Sequence, residues 1–123
     1  MTSLRILVHR TDESLDDEIR AAVVSLSDSQ TVLHFQGDLR GTVTAAENFQ
    51  PSFVLLEIAD DLEATRTLVE ESLAVVPDGT IVGVYDVDRL PPSETESTMM
   101  MRALRLGVED FVRRPVIGND LEQ

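Results

Sequence analysis

Glu57 is the side chain whose type and position could best support chemistry. It follows four apolar residues, Phe53 to Leu56, and Pro51 and Ser52 precede that run. A short apolar run between turn signals is typical of a strand buried on both faces. In doubly wound α/β sheets, functional side chains collect outside the carboxyl ends of such strands. Glu57 therefore stands where a site is expected, although a merely solvated acid at a strand end would give the same pattern.

Other patterns that carry chemistry are not found in the sequence. There is no Cys, so disulfides and thiol catalysis are excluded. His9 and His34 are each a lone imidazole on a strand and give no metal-site spacing. The Gly37–Gly41 segment lacks the Gly-Lys-Ser/Thr ending that a phosphate-binding P-loop requires. With no nucleophile–His–acid set either, we predict no enzymatic activity, no metal and no cofactor.

Composition restricts the class of protein and its partners. The chain has 123 residues, 42% of them hydrophobic, which predicts one domain, residues 1–123, with a real core. Its 23 Asp and Glu residues outnumber 10 Lys and Arg, giving a formal charge of −13. Nucleic acid and anionic membranes are therefore not expected partners, because association would start against repulsion. The acidic clusters at 16–18 and 60–63 should lie on solvated faces. No long apolar span or signal peptide is found, so we expect a cytoplasmic domain.

Strands alternate with helices along the chain, and this order predicts a parallel sheet covered on both faces. Five strands are predicted, at Leu4–Val8, Thr31–Phe35, Phe53–Ile58, Thr80–Tyr85 and Val108–Val112. Four helices are predicted at about 12–27, 38–48, 60–76 and 95–106, with Gly107 ending the last of them. Asn119–Gln123 is typical of the opening of a fifth helix, truncated or missing here, so we expect the natural protein to continue.

The whole chain resembles a response-regulator receiver domain. Pro51–Ile58 looks like the strand that carries the receiver's phosphoacceptor, and Ala103–Pro115 looks like the family's last strand, where a Lys precedes a cis-proline. Arg5–Val8 is similar to the first strand, and the buried fourth strand ends in Tyr85. The resemblance implies an α/β, flavodoxin-like (CheY-like) doubly wound fold with five parallel strands in the order 2-1-3-4-5.

The same resemblance places degenerate residues at the receiver's functional positions. Glu57 stands at the phosphoacceptor aspartate position, and Arg10 and Thr11 stand where an acidic pair normally holds Mg²⁺. Asp12 would supply one ligand if the register were shifted by one residue. The positions of the Ser/Thr, the Lys, the switch aromatic and the cis-proline fall on Tyr85, Arg114, Phe111 and Pro115.

These departures predict a site that does not transfer phosphate. Phosphoryl transfer onto a carboxylate needs a metal to neutralise the moving charge, and a guanidinium at Arg10 would repel that cation. We expect Arg10 to pair with Glu57 and so replace the charge of the metal. A cis bond before Pro115 would aim Arg114 back toward Glu57. Glu57 would then mimic a charged state without chemistry, unless the cleft is only a diverged, ion-paired surface.

The leading hypothesis is an atypical, phosphorylation-independent receiver domain that acts in signal transduction by protein–protein contact. The Pro-Asp-Gly before the fourth strand, the extended loop after it and the Arg-Pro ending are similar to the N-terminal domains of TadZ/CpaE-type pilus-assembly ATPases. That resemblance implies a role in pilus assembly or localisation and a ParA/MinD-like ATPase following in the same chain. The alternatives are a phosphorelay receiver that still accepts phosphate with relaxed residues, and a flavodoxin-like small-molecule module. The acidic balance disfavours anionic ligands such as FMN.

Two surfaces are expected to contact a partner or a second copy, and we predict a homodimer. Met99, Met100 and Met101 are consecutive on a helix, so at least one of them should be exposed. The sheet face beside the first strand would lack its fifth helix and expose apolar area. Phe111 is either a switch residue or ordinary packing on an edge strand.

Overall fold

Five strands form the centre of the fold. The structure is a computed structural model, and it describes residues 4–24, 31–58, 62–90 and 95–114. The strands are β1 (Leu4–His9), β2 (Thr31–Gln36), β3 (Phe53–Glu57), β4 (Thr80–Tyr85) and β5 (Asp110–Arg113). Every neighbouring pair is parallel, and the order in the sheet is β2-β1-β3-β4-β5. The fold class and the strand order predicted from the sequence are confirmed.

Helices connect the strands. Those in the described part of the chain are α1 (Ser14–Val24), α2 (Leu39–Phe49), α3 (Leu62–Val75) and α4 (Glu96–Leu106). Gly107 ends α4 as predicted: its φ is 115°, and Val108 donates its N–H to the carbonyl of Ala103, 3.2 Å away. This is a Schellman motif, and because Val108 serves in it, β5 begins at Asp110 rather than at Val108.

A short 3-10 turn, Val87–Arg89, lies within the segment that the sequence predicted to be a polar loop. The side chain of Asp86 caps this turn by accepting a 3.0 Å hydrogen bond from the N–H of Asp88. The turn directly follows β4, so it places Arg89 at the carboxyl end of the sheet.

An apolar core lies on each face of the sheet. Neighbouring residues of β3 point to opposite cores: Leu55 belongs to the core with α1, and Val54 and Leu56 belong to the core with α2, α3 and α4. All three are at most 2% exposed. The uninterrupted apolar sequence of β3 follows from this, since every side chain in the run needs an apolar environment.

The predicted fifth helix and the cis-proline at Pro115 lie outside the described residues. Within them, the sheet face that packs against α1 is buried, since Val82 and Val112 are 9% and 6% exposed. The apolar area that we expected on this face is therefore not found in the described part of the chain. Met99 is 2% exposed and Met101 is 57% exposed, which confirms that the methionines of α4 do not all face the core.

Candidate functional site

Glu57 ends β3 with its carboxylate enclosed by the loop that follows β1. Its Oε1 atom accepts hydrogen bonds from the N–H of Thr11 (2.6 Å), the hydroxyl of Thr11 (3.0 Å) and the N–H of Asp12 (3.0 Å). These groups meet because β1 and β3 are neighbours and run parallel, so their carboxyl ends lie at one edge of the sheet. Glu57 lies at this edge of the sheet, as predicted. It is only 8% exposed, so the alternative of a merely solvated acid does not hold.

Two guanidinium groups face the other oxygen of the same carboxylate. Nη1 of Arg114 lies 3.5 Å from Oε2 of Glu57, and Nη1 of Arg89 lies 3.9 Å from it. Arg114 follows β5 and its side chain is 8% exposed, whereas that of Arg89 is 59% exposed. The expectation that Arg114 points toward Glu57 is confirmed.

Arg114 is the centre of a charge cluster that joins β5 to α1. Its guanidinium contacts Oδ2 of Asp12 at 3.1 Å, the hydroxyl of Ser14 at 3.1 Å and the carboxylate of Glu18. The hydrogen bond to Glu18 is the main reason that the pKa of Arg114 is raised. The backbone of Arg114 is fixed as well, since its N–H donates to the carbonyl of Tyr85 at 2.8 Å.

Asp12 links the two guanidinium groups from its position before α1. Its Oδ2 atom lies 3.2 Å from Nη2 of Arg89, and its Oδ1 atom accepts from the hydroxyl (2.7 Å) and the N–H (3.0 Å) of Ser14. These hydrogen bonds from Ser14, followed by the one from Arg114, lower the pKa of Asp12. Asp12 is therefore an ionised helix cap rather than the metal ligand considered from the sequence.

Arg10 does not pair with Glu57, so that prediction is wrong. Its guanidinium binds Asp16 through two hydrogen bonds, from Nε to Oδ1 (2.9 Å) and from Nη2 to Oδ2 (3.1 Å). The N–H of Arg10 donates to the carbonyl of Gln36, which directs this residue toward β2. Nη1 of Arg10 lies 2.8 Å from the place that a Cβ would take if Gly37 had one. The side chain therefore crosses Gly37 and reaches the first turn of α1.

The acidic cluster at 16–18 is also not a uniformly solvated face. Asp16 is 9% exposed and Glu18 binds Arg114, although the side chain of Asp17 is 89% exposed. Sequence reasoning missed Asp16, Glu18, Ser14 and Arg89 as members of the site. The signal that could have found the first two was the presence of acids in the first turns of the helix after β1.

The residues present do not fit Mg²⁺ at the receiver's metal position. Thr11 directs an N–H and a hydroxyl hydrogen toward the pocket, and the carboxylate of Asp12 is occupied by Ser14 and two arginines. Mg²⁺ needs several oxygen ligands in near-octahedral geometry. In the part of the chain that is described, no group of three or more His, Asp or Glu side chains could hold a metal ion.

Tyr85 and Phe111 form a separate contact beside the N-terminus of α4. Their rings meet edge to face, with centroids 6.3 Å apart and an interplanar angle of 79°. Tyr85 is 3% exposed, and its hydroxyl donates a hydrogen bond to Glu96 in the first turn of α4. Burial, followed by the hydrogen bond to Glu96, raises the pKa of Tyr85 to about 12. Tyr85 therefore joins β4 to α4 and does not contribute a small hydroxyl to the Glu57 pocket.

His9 is the last residue of β1, and its imidazole contacts Thr42 of α2. Its Nδ1 lies 2.7 Å from the hydroxyl oxygen of Thr42, which itself donates to the carbonyl of Asp38 at 2.7 Å. Since that hydroxyl has only one hydrogen, Nδ1 of His9 must be the donor. Burial lowers the pKa of His9, against the opposing effect of Glu57.

The parallel sheet with its strand order and its helices on both faces defines the CheY-like, flavodoxin-like fold of receiver domains. The solved structures that share it include the receiver domain of AraT, a response regulator from Geobacillus stearothermophilus. That domain is 15% identical, with a TM-score of 0.73, and the match covers 98% of this chain and 88% of the other.

Pilus assembly proteins of the CpaE type have the same fold. The CpaE protein from Caulobacter crescentus CB15 is 17% identical, with a TM-score of 0.68 and coverage of 98% of this chain and 89% of the other. A candidate CpaE protein from Burkholderia thailandensis E264 is 20% identical, with a TM-score of 0.72 and coverage of 97% and 92%. No protein family model and no curated protein matches the sequence. At these identities the likeness establishes the fold.

Proposed function

We propose that this chain is a receiver-like regulatory domain that works without phosphorylation and acts through protein–protein contact. The observation that carries the proposal is the state of Glu57, whose carboxylate already accepts three hydrogen bonds on Oε1 and faces Arg114 and Arg89 through Oε2. The pocket thus holds a fixed carboxylate, one methylene longer than that of Asp, whose contacts need no phosphorylation.

The chemistry of acyl phosphate formation explains why this arrangement disfavours phosphorylation. A carboxylate oxygen must attack phosphorus while a metal ion neutralises the equatorial oxygens of the moving group. Here Oε1 of Glu57 is committed to Thr11 and Asp12, and the groups around it suit an anion rather than Mg²⁺. We therefore expect neither specific Mg²⁺ binding nor catalysis by this domain.

The structural neighbours support a proposal for the biological setting. CpaE proteins are described as pilus assembly proteins, and we propose a related role in pilus assembly or localisation for this chain. The domain would then act in the cytoplasm beside a ParA/MinD-like ATPase in the same polypeptide. Among the described helices, none has the length and apolar character that crossing a bilayer requires. We also propose a homodimer, with α4 contributing Met101 and Leu104 to the contact.

Incubation with acetyl phosphate and Mg²⁺, followed by intact mass measurement, tests the central proposal. The expected result is an unchanged mass, with no saturable Mg²⁺-dependent shifts of the Thr11 and Asp12 amide resonances. A hydroxylamine-sensitive phosphoryl adduct on Glu57 would overturn the proposal and support a phosphorelay receiver with relaxed residues. A small molecule retained in native mass spectra would support the binding-module alternative instead.

A further inference from the structure

We propose that the pocket at the end of β3 is an anion-binding site whose ligand is the protein's own Glu57 carboxylate. A free small oxyanion, such as acetate or inorganic phosphate, should bind there once that side chain is shortened. This inference rests on the proposed function, which treats Glu57 as a permanent acid, and it adds the class of ligand that the pocket recognises.

The polarity of the pocket is the first argument. The groups that contact the carboxylate of Glu57 are the N–H and hydroxyl of Thr11, the N–H of Asp12, and the guanidinium groups of Arg114 and Arg89. Each of them presents hydrogen to the ligand. Successive backbone N–H groups and guanidinium forks are common components of anion sites in proteins. The atoms that touch the ligand are therefore all donors, which suits an oxyanion, while the carboxylates of Asp12 and Glu18 lie on the other contacts of Arg114.

The donors are held in place by contacts that do not involve Glu57. The loop that carries Thr11 is anchored on one side by the 3.0 Å hydrogen bond from the N–H of Arg10 to Gln36, and on the other by the cap of α1, where Asp12 binds Ser14. Arg114 is fixed by its backbone hydrogen bond to Tyr85 and by its side-chain contacts with α1. The pocket should therefore keep its shape when the carboxylate is removed.

The size of the removed fragment identifies the best probe. Replacing Glu57 with Ala removes a CH₂–COO⁻ unit, and acetate supplies the same atoms with one additional hydrogen. Acetate can therefore satisfy the three donors at Oε1 and face Arg114 with its second oxygen. Phosphate offers further oxygens to Arg89, which is 59% exposed at the mouth of the pocket.

Thermal unfolding of the Glu57→Ala variant tests the proposal. Acetate and phosphate are titrated separately against sodium chloride of matched ionic strength. Each oxyanion should raise the melting temperature by about 5 °C at roughly ten times its dissociation constant, and the rise should grow with the logarithm of its concentration. The wild type and Glu57→Gln should show no rise beyond that in sodium chloride, because their pockets are filled. If Glu57→Ala is unfolded in chloride, saturable recovery of its circular dichroism on adding acetate is the equivalent readout.

Two neighbouring arginines give a matched control. Arg114 contacts Glu57, whereas the side chain of Arg113 is 60% exposed and lies 3.9 Å from Glu96 instead. In the Glu57→Ala background, Arg114→Gln should weaken acetate binding at least tenfold and Arg113→Gln should leave it unchanged. Equal effects of acetate and chloride, equal effects of the two arginine changes, or stronger stabilisation by Mg²⁺ than by acetate would each overturn the proposal. An acyl phosphate on wild-type Glu57 would contradict the proposed function but not the anion site.

Discussion

The guanidinium of Arg114 lies 3.5 Å from the carboxylate of Glu57, and the two side chains are 8% and 6% exposed. The same guanidinium contacts Asp12 and Glu18, so one buried cation faces three carboxylates that belong to three segments of the chain. It thereby supplies positive charge at the edge of the sheet where the residues present do not fit a metal ion. Arg114 is the buried cation of the site, and the exposed Arg89 adds a second positive charge to Glu57 and Asp12.

Replacing Arg114 with Gln should destabilise the fold, because it leaves Glu57, Asp12 and Glu18 facing one another without their shared cation. Breaking a largely buried ionic network by removing one partner costs about 3–5 kcal/mol, and residual compensation by the exposed Arg89 should bring this to roughly 2–4 kcal/mol. Urea unfolding measures the loss. Arg113→Gln is the control and should cost under about 0.5 kcal/mol, since its ion pair is exposed. Equal losses for the two variants would show that the network contributes little.

His9 should make stability depend on pH on the acidic side of neutrality. Burial places its folded pKa below the ordinary value of 6.5, so folding favours the neutral imidazole. Its contribution is present above pH 6.5 and is lost as the pH falls through the folded pKa. A His9→Gln variant should show a shallower fall in unfolding free energy between about pH 7 and 5 than the wild type.

The control for this pH dependence is His34→Gln, which retains His9 and its hydrogen bond to Thr42. A pH dependence that is reduced in His9→Gln relative to His34→Gln would be specific to the imidazole of His9. An unchanged slope in His9→Gln would assign the acid sensitivity to carboxylates of the site rather than to this imidazole.

The sheet and the position of Glu57 could be predicted because both depend on properties that a sequence displays directly. An uninterrupted apolar run such as Val54–Leu56 is required wherever a strand is buried on both faces. Once the strands alternate with helices, the carboxyl end of β3 must lie at the edge where a site can form. The end of α4 was equally predictable, because a Gly after a helical pattern is typical of a helix C-terminus. The φ of 115° at Gly107 is one that favours a residue without a Cβ.

Arg114 was expected to face Glu57, but the other partners of this carboxylate could not be predicted, because they are decided by backbone direction rather than by residue type. Its closest donors include the N–H groups of Thr11 and Asp12, which any residue other than proline would supply. Arg10 seemed the natural partner by charge, but its backbone bond to Gln36 sends its side chain to Asp16. Arg89 was missed because its position depends on a 3-10 turn inside a segment of loop-like composition.

Tyr85 should make the protein lose stability in alkaline solution. Its pKa is raised from 10.0 to about 12 in the fold, so the neutral phenol is favoured and its contribution is complete below pH 10. That contribution is lost as the pH rises from 10 toward 12. The chain has one Tyr and no Trp, so phenolate absorbance follows this residue alone.

Tyr85→Phe is the matched variant for the alkaline transition. It should remove this part of the alkaline dependence and cost roughly 1–2 kcal/mol at neutral pH, through loss of the hydrogen bond to Glu96. The urea-unfolded wild type provides the reference titration near pH 10. A native protein whose phenolate forms at that same pH, without unfolding, would contradict the raised pKa.

Self-association through α4 is the remaining prediction. Met101 and Leu104 are 57% and 52% exposed and lie three residues apart, so they share one face of the helix. Two side chains supply less than the roughly 800 Å² per partner of a standard interface, so we expect dimerisation only at micromolar or higher concentration. Because the chain carries a formal charge of −13, salt should strengthen the dimer by screening repulsion. Sedimentation equilibrium at low and high salt measures both effects.

Combining Met101→Gln with Leu104→Gln should weaken association at least tenfold, whereas Val32→Gln, which changes a 46% exposed residue on β2, should not. A monomer at every salt concentration, or equal weakening by the Val32 change, would exclude α4 as the interface.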